Sequence, residues 1–266
     1  GQRKTSKTRE NMGNQKKKMG PIKNSKFKIQ NSKLFILHGW TYSTEKWEPF
    51  LKLLKQNGIE YEMSKIPGLT GPLSSVWTLD DYISWLKSIV NGQRSIVLLG
   101  HSNGGRIAAA FAAKYPEKVS NLILIDSAGI IRRDLKTLLR KSLFATAAKI
   151  GRRVTNSDSI RNLFYKAIGE QDYNKADPTL KKTMLNLISH DLEQTFAGIK
   201  VPTLIIWGED DKVTPLSDGK KIHSLIHESN LKIIKNAKHS PQFSHPNEVA
   251  SLTISFIQGS TLNTHE

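Results

Sequence analysis

The chain has 266 residues, with 40 Lys and Arg against 23 Asp and Glu for a formal net charge of +17, and it contains no cysteine. The missing thiols exclude disulfides, thiol nucleophiles and thiolate-held metals. No apolar run approaches the roughly 20 residues that cross a bilayer as a helix, and the length suits one α/β domain with an insertion.

Residues 1–26 read as a basic, flexible tail. Residues 1–28 hold ten Lys or Arg against one Glu, and Lys16-Lys17-Lys18 sits among Asn, Gln, Ser, Thr and Gly, a composition too poor in apolar groups to build a core. A solvated run is the plainer reading of such a tail, with weak binding to an anionic surface as the alternative. With neither a spanning segment nor the apolar core of a signal peptide, the expected location is the cytoplasm. Residues 27–30 are a candidate edge strand. Apolar, β-branched runs then recur at 33–37, 59–64, 95–100, 121–126, 202–207 and 231–235, alternating with helix-like segments at 45–57, 80–91, 104–114, 216–227 and 246–258. This alternation predicts a mostly parallel sheet flanked by helices on both faces. Residues 259–266 are a second tail.

One stretch breaks the pattern. Residues 130–197 separate the fourth and fifth of those parallel runs, too far for one crossover helix. Leu135, Leu138, Leu139, Leu143, Ala147 and Ile150 recur at helical spacing, as do Ile160, Leu163, Phe164, Ala167 and Ile168. A third segment starts at Pro178, a residue suited to a first helical turn, and continues through Met184 and Leu187. The segment is predicted to be a helical cap inserted into a core of residues 27–129 and 198–258. Extra helices packed on the sheet edge are the simpler alternative. The insertion is also basic, with thirteen Lys or Arg against seven acids.

Four polar motifs fall just beyond strand candidates, where open α/β sheets place their ligands. They are His38-Gly39-Trp40, Gly100-His101-Ser102-Asn103-Gly104, Trp207-Gly208-Glu209-Asp210-Asp211 and Ala237-Lys238-His239-Ser240-Pro241. The second has the form of a nucleophile elbow, a strand–turn–helix junction whose tight backbone needs glycines beside the serine. No phosphate loop, dinucleotide fingerprint or metal spacing occurs, so no cofactor is expected. No nucleic-acid module occurs either.

On these motifs the chain resembles the α/β-hydrolase fold family over residues 27–258, specifically its cap-bearing esterase, lactonase and carbon–carbon hydrolase members. The resemblance implies Ser102 as nucleophile, Asp211 of the Gly-x-x-Asp motif as acid and His239 as base, in the chain order of that fold. It also implies an oxyanion hole made by the amides of Trp40 and Asn103. The chemistry needs these types: a serine hydroxyl requires a neighbouring base, an imidazole suits proton transfer both ways, a carboxylate fixes its tautomer, and two amides hold the oxyanion. Asp126, after the run 121–126, is a rival acid because some relatives place theirs there; an aspartate closing a turn is the plainer reading. Asp210 competes with Asp211, since neighbouring side chains point apart. The loop Pro67-Gly68-Leu69-Thr70-Gly71 departs from the family's Pro-Gly-x-Gly by one residue and lacks its preceding aspartate.

The expected function is hydrolysis of a small ester or lactone through an acyl-enzyme. A carbon–carbon hydrolase of diketone ring-cleavage products and an acyltransferase share the same residues, and a ligand receptor on this scaffold is the non-enzymatic alternative. Serine at the elbow argues against dehalogenase and epoxide hydrolase relatives, which use aspartate there. His38, Gly39, Tyr42, Leu69, Phe144, Phe164 and Phe243 are the candidate substrate contacts, with core packing the competing role for the aromatic ones.

Overall fold

The computed structural model describes residues 33–41, 43–93, 95–131 and 177–259. Six parallel strands, β1 (Leu34–Leu37), β2 (Tyr61–Met63), β3 (Ile96–His101), β4 (Val119–Ile125), β5 (Thr203–Gly208) and β6 (Ser229–Ile234), form one sheet in the order β2-β1-β3-β4-β5-β6. The order reverses direction about β1 and β3. Its crevice lies at the carboxyl ends of β1 and β3, where the first two polar motifs fall.

Side-chain alternation divides the central strands between two cores. Phe35, Leu37, Leu98, Leu122, Leu124, Ile205 and Trp207 face one way, into a cluster completed by Tyr82, Ile83 and Leu86 of α2 (Leu79–Ile89), Ile107 and Phe111 of α3 (Asn103–Lys114) and Ile222 of a later helix, Leu216–Leu225. Leu34, Ile36, Val97, Leu99, Ile123, Ile125, Leu204 and Ile206 face the other way, onto Phe50 and Leu54 of α1 (Glu48–Gln56) and Val249, Ala250 and Ile257 of the last helix, Pro246–Ile257. Near-continuous apolar strands are what two covered faces require.

The strand and helix assignments read from sequence fall within a few residues of these elements. The end of the inserted stretch is α4 (Pro178–Ser189), begun by Asp177, whose carboxylate accepts from the Leu180 amide at 2.8 Å, and followed by the short α5 (Glu193–Ala197). Thr183 of α4 accepts from the Trp77 amide at 2.9 Å, and the Asn186 side chain donates to the Trp77 carbonyl at 3.1 Å. Leu180 abuts Gly68, where a Cβ would stand 2.8 Å from it. Helix α4 is therefore fastened to Trp77 and over the Pro67–Gly71 loop. Arg106 of α3 reaches the same region, donating to the His190 carbonyl at 2.5 Å; burial pushes its guanidinium down to about 10 against the opposing pull of Asp191. The candidate edge strand at 27–30, the two tails and the first two candidate cap helices lie outside the described residues. In chain order the remaining helices are α6 (Leu216–Leu225), α7 (Pro241–Ser244) and α8 (Pro246–Ile257). Among the described residues, no helix is long and apolar enough to cross a membrane.

Candidate active site

Strand β3 delivers Ser102 into a turn with φ 52° and ψ −117°, a positive φ that costs a non-glycine residue about 1–3 kcal/mol. The surroundings hold it there. Its amide donates to the Ile125 carbonyl at 3.0 Å, and its carbonyl accepts from Ala128 at 2.9 Å. Helix α3 starts at the next residue and crosses the end of β1 so closely that a Cβ on Gly104 would strike the Leu37 carbonyl. The elbow read from Gly100 to Gly104 is thus enforced by contact on both sides.

His239 and Asp211 meet this serine from the ends of β6 and β5. His239 Nε2 lies 2.9 Å from Ser102 Oγ, and His239 Nδ1 lies 2.7 Å from Asp211 Oδ2. Asp211 is buried and fully hydrogen-bonded: Oδ1 accepts from the Val213 and Thr214 amides at 2.7 and 3.0 Å, and Oδ2 accepts from the Thr214 hydroxyl at 2.7 Å. A carboxylate only accepts, so Nδ1 carries the imidazole proton and Nε2 is left to accept from the serine hydroxyl. Asp210 is exposed, which resolves the choice between the adjacent aspartates by direction alone.

Asp126 also reaches this point, from the end of β4 and at φ 41°. Its Oδ1 accepts from the Gly208 amide at 2.8 Å, its Oδ2 accepts from the Ser240 amide at 2.9 Å, and Oδ2 lies 4.0 Å from His239 Nδ1. Burial pushes its carboxyl up to about 7, against the pull of His239. His101 is buried beside it: a ring nitrogen pairs with the Ser240 hydroxyl at 3.1 Å, and burial, with the nearby His239 and His38, holds the imidazole well below its ordinary range. One donor atom each from His101, Asp126 and His239 lies within 4.8 Å of the others. The fold thus assembles from distant positions a cluster that sequence spacing does not reveal, and hydrogen bonds already occupy its members.

Two backbone segments adjoin Ser102. Asn103 opens α3, so its amide has no acceptor within the helix and sits at the positive end of the helix dipole. Gly39 brings the β1 loop against the elbow; a Cβ there would lie 2.8 Å from His101 Nδ1 and 3.0 Å from Ser102 Cβ. Trp40 follows directly. The His38 ring is buried, with Nδ1 donating to the Gly39 carbonyl at 2.8 Å and Nε2 accepting from the Thr70 hydroxyl at 2.8 Å. Thr70 Oγ1 accepts in turn from the Ile66 amide at 3.1 Å. Thr70 therefore ties the Pro67–Gly71 loop to the His38–Gly39 segment. Burial lowers the His38 imidazole below its ordinary range, consistent with a neutral ring.

Of the other expected contacts, Leu69 is a core residue, and Phe243 packs edge-on against buried Trp47 with centroids 5.5 Å apart. Tyr42, Phe144 and Phe164 lie outside the described residues. Thr214, Thr70 and Ser240 are site residues the sequence reading missed. Of these only Thr214 carries a local signal, since a threonine three residues after an aspartate suits a turn closed on that carboxylate.

Among curated proteins, the chain is 28% identical over 262 residues to a biotin biosynthesis bifunctional protein of Teredinibacter turnerae, covering 85% of this chain but 45% of that protein. It is 26% identical to monoacylglycerol lipase ABHD6 of Bos taurus, covering 84% of this chain and 74% of the relative. Among solved structures, an α/β-hydrolase enzyme from a lagoon-sediment metagenome aligns with TM-score 0.63 at 21% identity over 86% of this chain and 92% of its own. A thermophilic esterase of Thermogutta terrifontis aligns with TM-score 0.63 at 20% identity, covering 86% and 90%. At those identities the structures bear on the fold alone. The model of the Hydrolase_4 family, described as serine aminopeptidase, S33, spans residues 30–244, from before the sheet's first strand to beyond His239, and the chain belongs to that α/β-hydrolase family.

Proposed function

We propose that the protein hydrolyses carboxylic esters or lactones, with Ser102 as nucleophile, His239 as base and acid, Asp211 as its orienting carboxylate, and the Trp40 and Asn103 amides as oxyanion hole. The observation that carries this reading is the 2.9 Å approach of His239 Nε2 to Ser102 Oγ at a residue held with positive φ. His239 takes the hydroxyl proton as Ser102 Oγ bonds to the substrate carbonyl carbon. The tetrahedral oxyanion lies against the two amides, and collapse expels the alcohol oxygen, which takes the proton from His239. Water then repeats the sequence on the acyl-enzyme and frees the acid.

The family description names an aminopeptidase, so an aminoacyl anilide belongs beside the esters among the substrates to test. The relatives named monoacylglycerol lipases make monoacylglycerols the first esters to test. Residues 130–197 are proposed as a cap that excludes water, with Tyr42, Phe144, Phe164 and Phe243 as walls and short acyl chains turned over fastest.

The test is product release from graded monoacylglycerols, p-nitrophenyl esters, lactones and an aminoacyl anilide, with fluorophosphonate labelling. Turnover and labelling that vanish together in Ser102→Ala support the reading. Ester turnover intact in that variant refutes it, and preferential cleavage of a vinylogous diketone replaces it with carbon–carbon hydrolysis.

A further inference from the structure

The triad described above uses one carboxylate, yet the structure brings two to the same imidazole nitrogen. Asp211 Oδ2 lies 2.7 Å from His239 Nδ1 and Asp126 Oδ2 lies 4.0 Å from it. Asp126 is wholly buried, and each of its oxygens accepts one main-chain amide, from Gly208 and from Ser240. Each oxygen keeps a lone pair. The Ser240 amide belongs to the residue after His239, so the contact fixes the main chain that aims the imidazole. A buried carboxylate is costly to ionise unless charge of opposite sign is at hand, and an imidazolium forms here each time Ser102 loses its proton.

On the reading that Ser102 and His239 form the catalytic pair, we infer that Asp126 is a second carboxylate for His239, positioning the base through Ser240 and sharing the imidazolium charge with Asp211. Two consequences follow. Loss of Asp211 leaves the Nδ1–H tautomer an acceptor, because closing 4.0 Å to a hydrogen bond of about 2.8 Å needs only a small ring shift. Loss of Asp126 removes a negative charge from the imidazole and makes it easier to deprotonate. The other groups facing these atoms are His101, whose ring centroid lies 5.1 Å from that of His239, His38 beyond it, and the Thr214 hydroxyl, 3.3 Å from Nδ1. With both histidines neutral, the charged partners of His239 are Asp211 and, once ionised, Asp126.

The experiment compares pH profiles of kcat and kcat/KM on one ester for the unmodified protein, Asp126→Asn, Asp211→Asn, the double variant and Ser102→Ala. Where a histidine loses its sole carboxylate, kcat falls about 10⁴-fold. Here Asp211→Asn is expected to lose about 10²-fold and the double variant about 10⁴-fold, while Asp126→Asn moves the acid limb of kcat/KM to lower pH. A purely structural Asp126 would lower rates without moving that limb. An Asp211→Asn loss beyond about 10³-fold, or an unmoved acid limb in folded Asp126→Asn, overturns the inference. Asp211→Asn keeps Asp126 in place and decides the matter even if Asp126→Asn fails to fold. Activity surviving in Ser102→Ala would instead overturn the hydrolase reading beneath it.

Discussion

Thr70→Val isolates the tie between the Pro67–Gly71 loop and the proposed oxyanion segment. Valine keeps the shape and deletes one oxygen, the one that donates to His38 Nε2 at 2.8 Å and accepts from the Ile66 amide at 3.1 Å. Each orphaned buried partner costs about 1–3 kcal/mol. Thr70 is only half-buried, so water can reach part of the gap, and a total near 2 kcal/mol of stability is expected. The catalytic effect has its own ceiling. Removing one oxyanion donor costs about 10²–10³ in kcat; His38 stays pinned through the Gly39 carbonyl, so a displaced Trp40 amide should cost about tenfold, well under that limit. The assay is kcat and KM on one ester alongside urea unfolding, with Thr70→Ser as the rescue. The fall belongs in kcat, because the amide meets charge that exists only in the transition state. A folded Thr70→Val with kcat within twofold of the unmodified protein would refute the coupling.

Gly39→Ala drives a methyl against His101 Nδ1 and Ser102 Cβ; activity should fall at least about a hundredfold, as for a lost oxyanion donor, with secondary structure by circular dichroism intact. Thr183→Val leaves the Trp77 amide without its acceptor and should cost about 1–2 kcal/mol, read as a Tm lower by about 3–6 °C. The pH dependence of stability has opposing parts. Asp126, raised from 3.8 to about 7 by burial, binds its proton more tightly folded than unfolded, so its contribution is full at low pH and is lost as pH rises through about 7. His38 and His101, both lowered from 6.5 by burial, contribute stability above that value that is lost on acidification. Urea unfolding at pH 5 and 8 should therefore show Asp126→Asn gaining on the unmodified protein as pH rises. A difference constant with pH would count against a buried, titrating Asp126.

The parts of the molecule legible in the sequence depend on local pattern. The run 95–100 followed by Ser102 and alanine-rich 104–114 specifies a strand, a turn and a helix within twenty residues, and β3 and α3 fall there. The order of Ser102, Asp211 and His239 needed only strand ends and a known topology. What stayed hidden depends on pairings between remote main-chain atoms. Asp126 reads as a turn aspartate because nothing near it announces that its oxygens meet Gly208 and Ser240. Thr70 reads as a loop insertion because its partner His38 is 32 positions away. His38 reads as a substrate contact because its place at a strand end implies exposure, whereas the loop above it closes over the ring.

The clamp on residue 77 is built from its peptide groups, with Thr183 receiving the amide hydrogen and Asn186 giving one to the carbonyl. A joint that grips only the chain is indifferent to which side chain the chain carries. The indole of Trp77, which packs edge-on to Tyr82 at 4.9 Å, can therefore be exchanged without unfastening α4. Attachment and local packing are separable at this joint, which offers engineers a position to diversify while α4 stays in place.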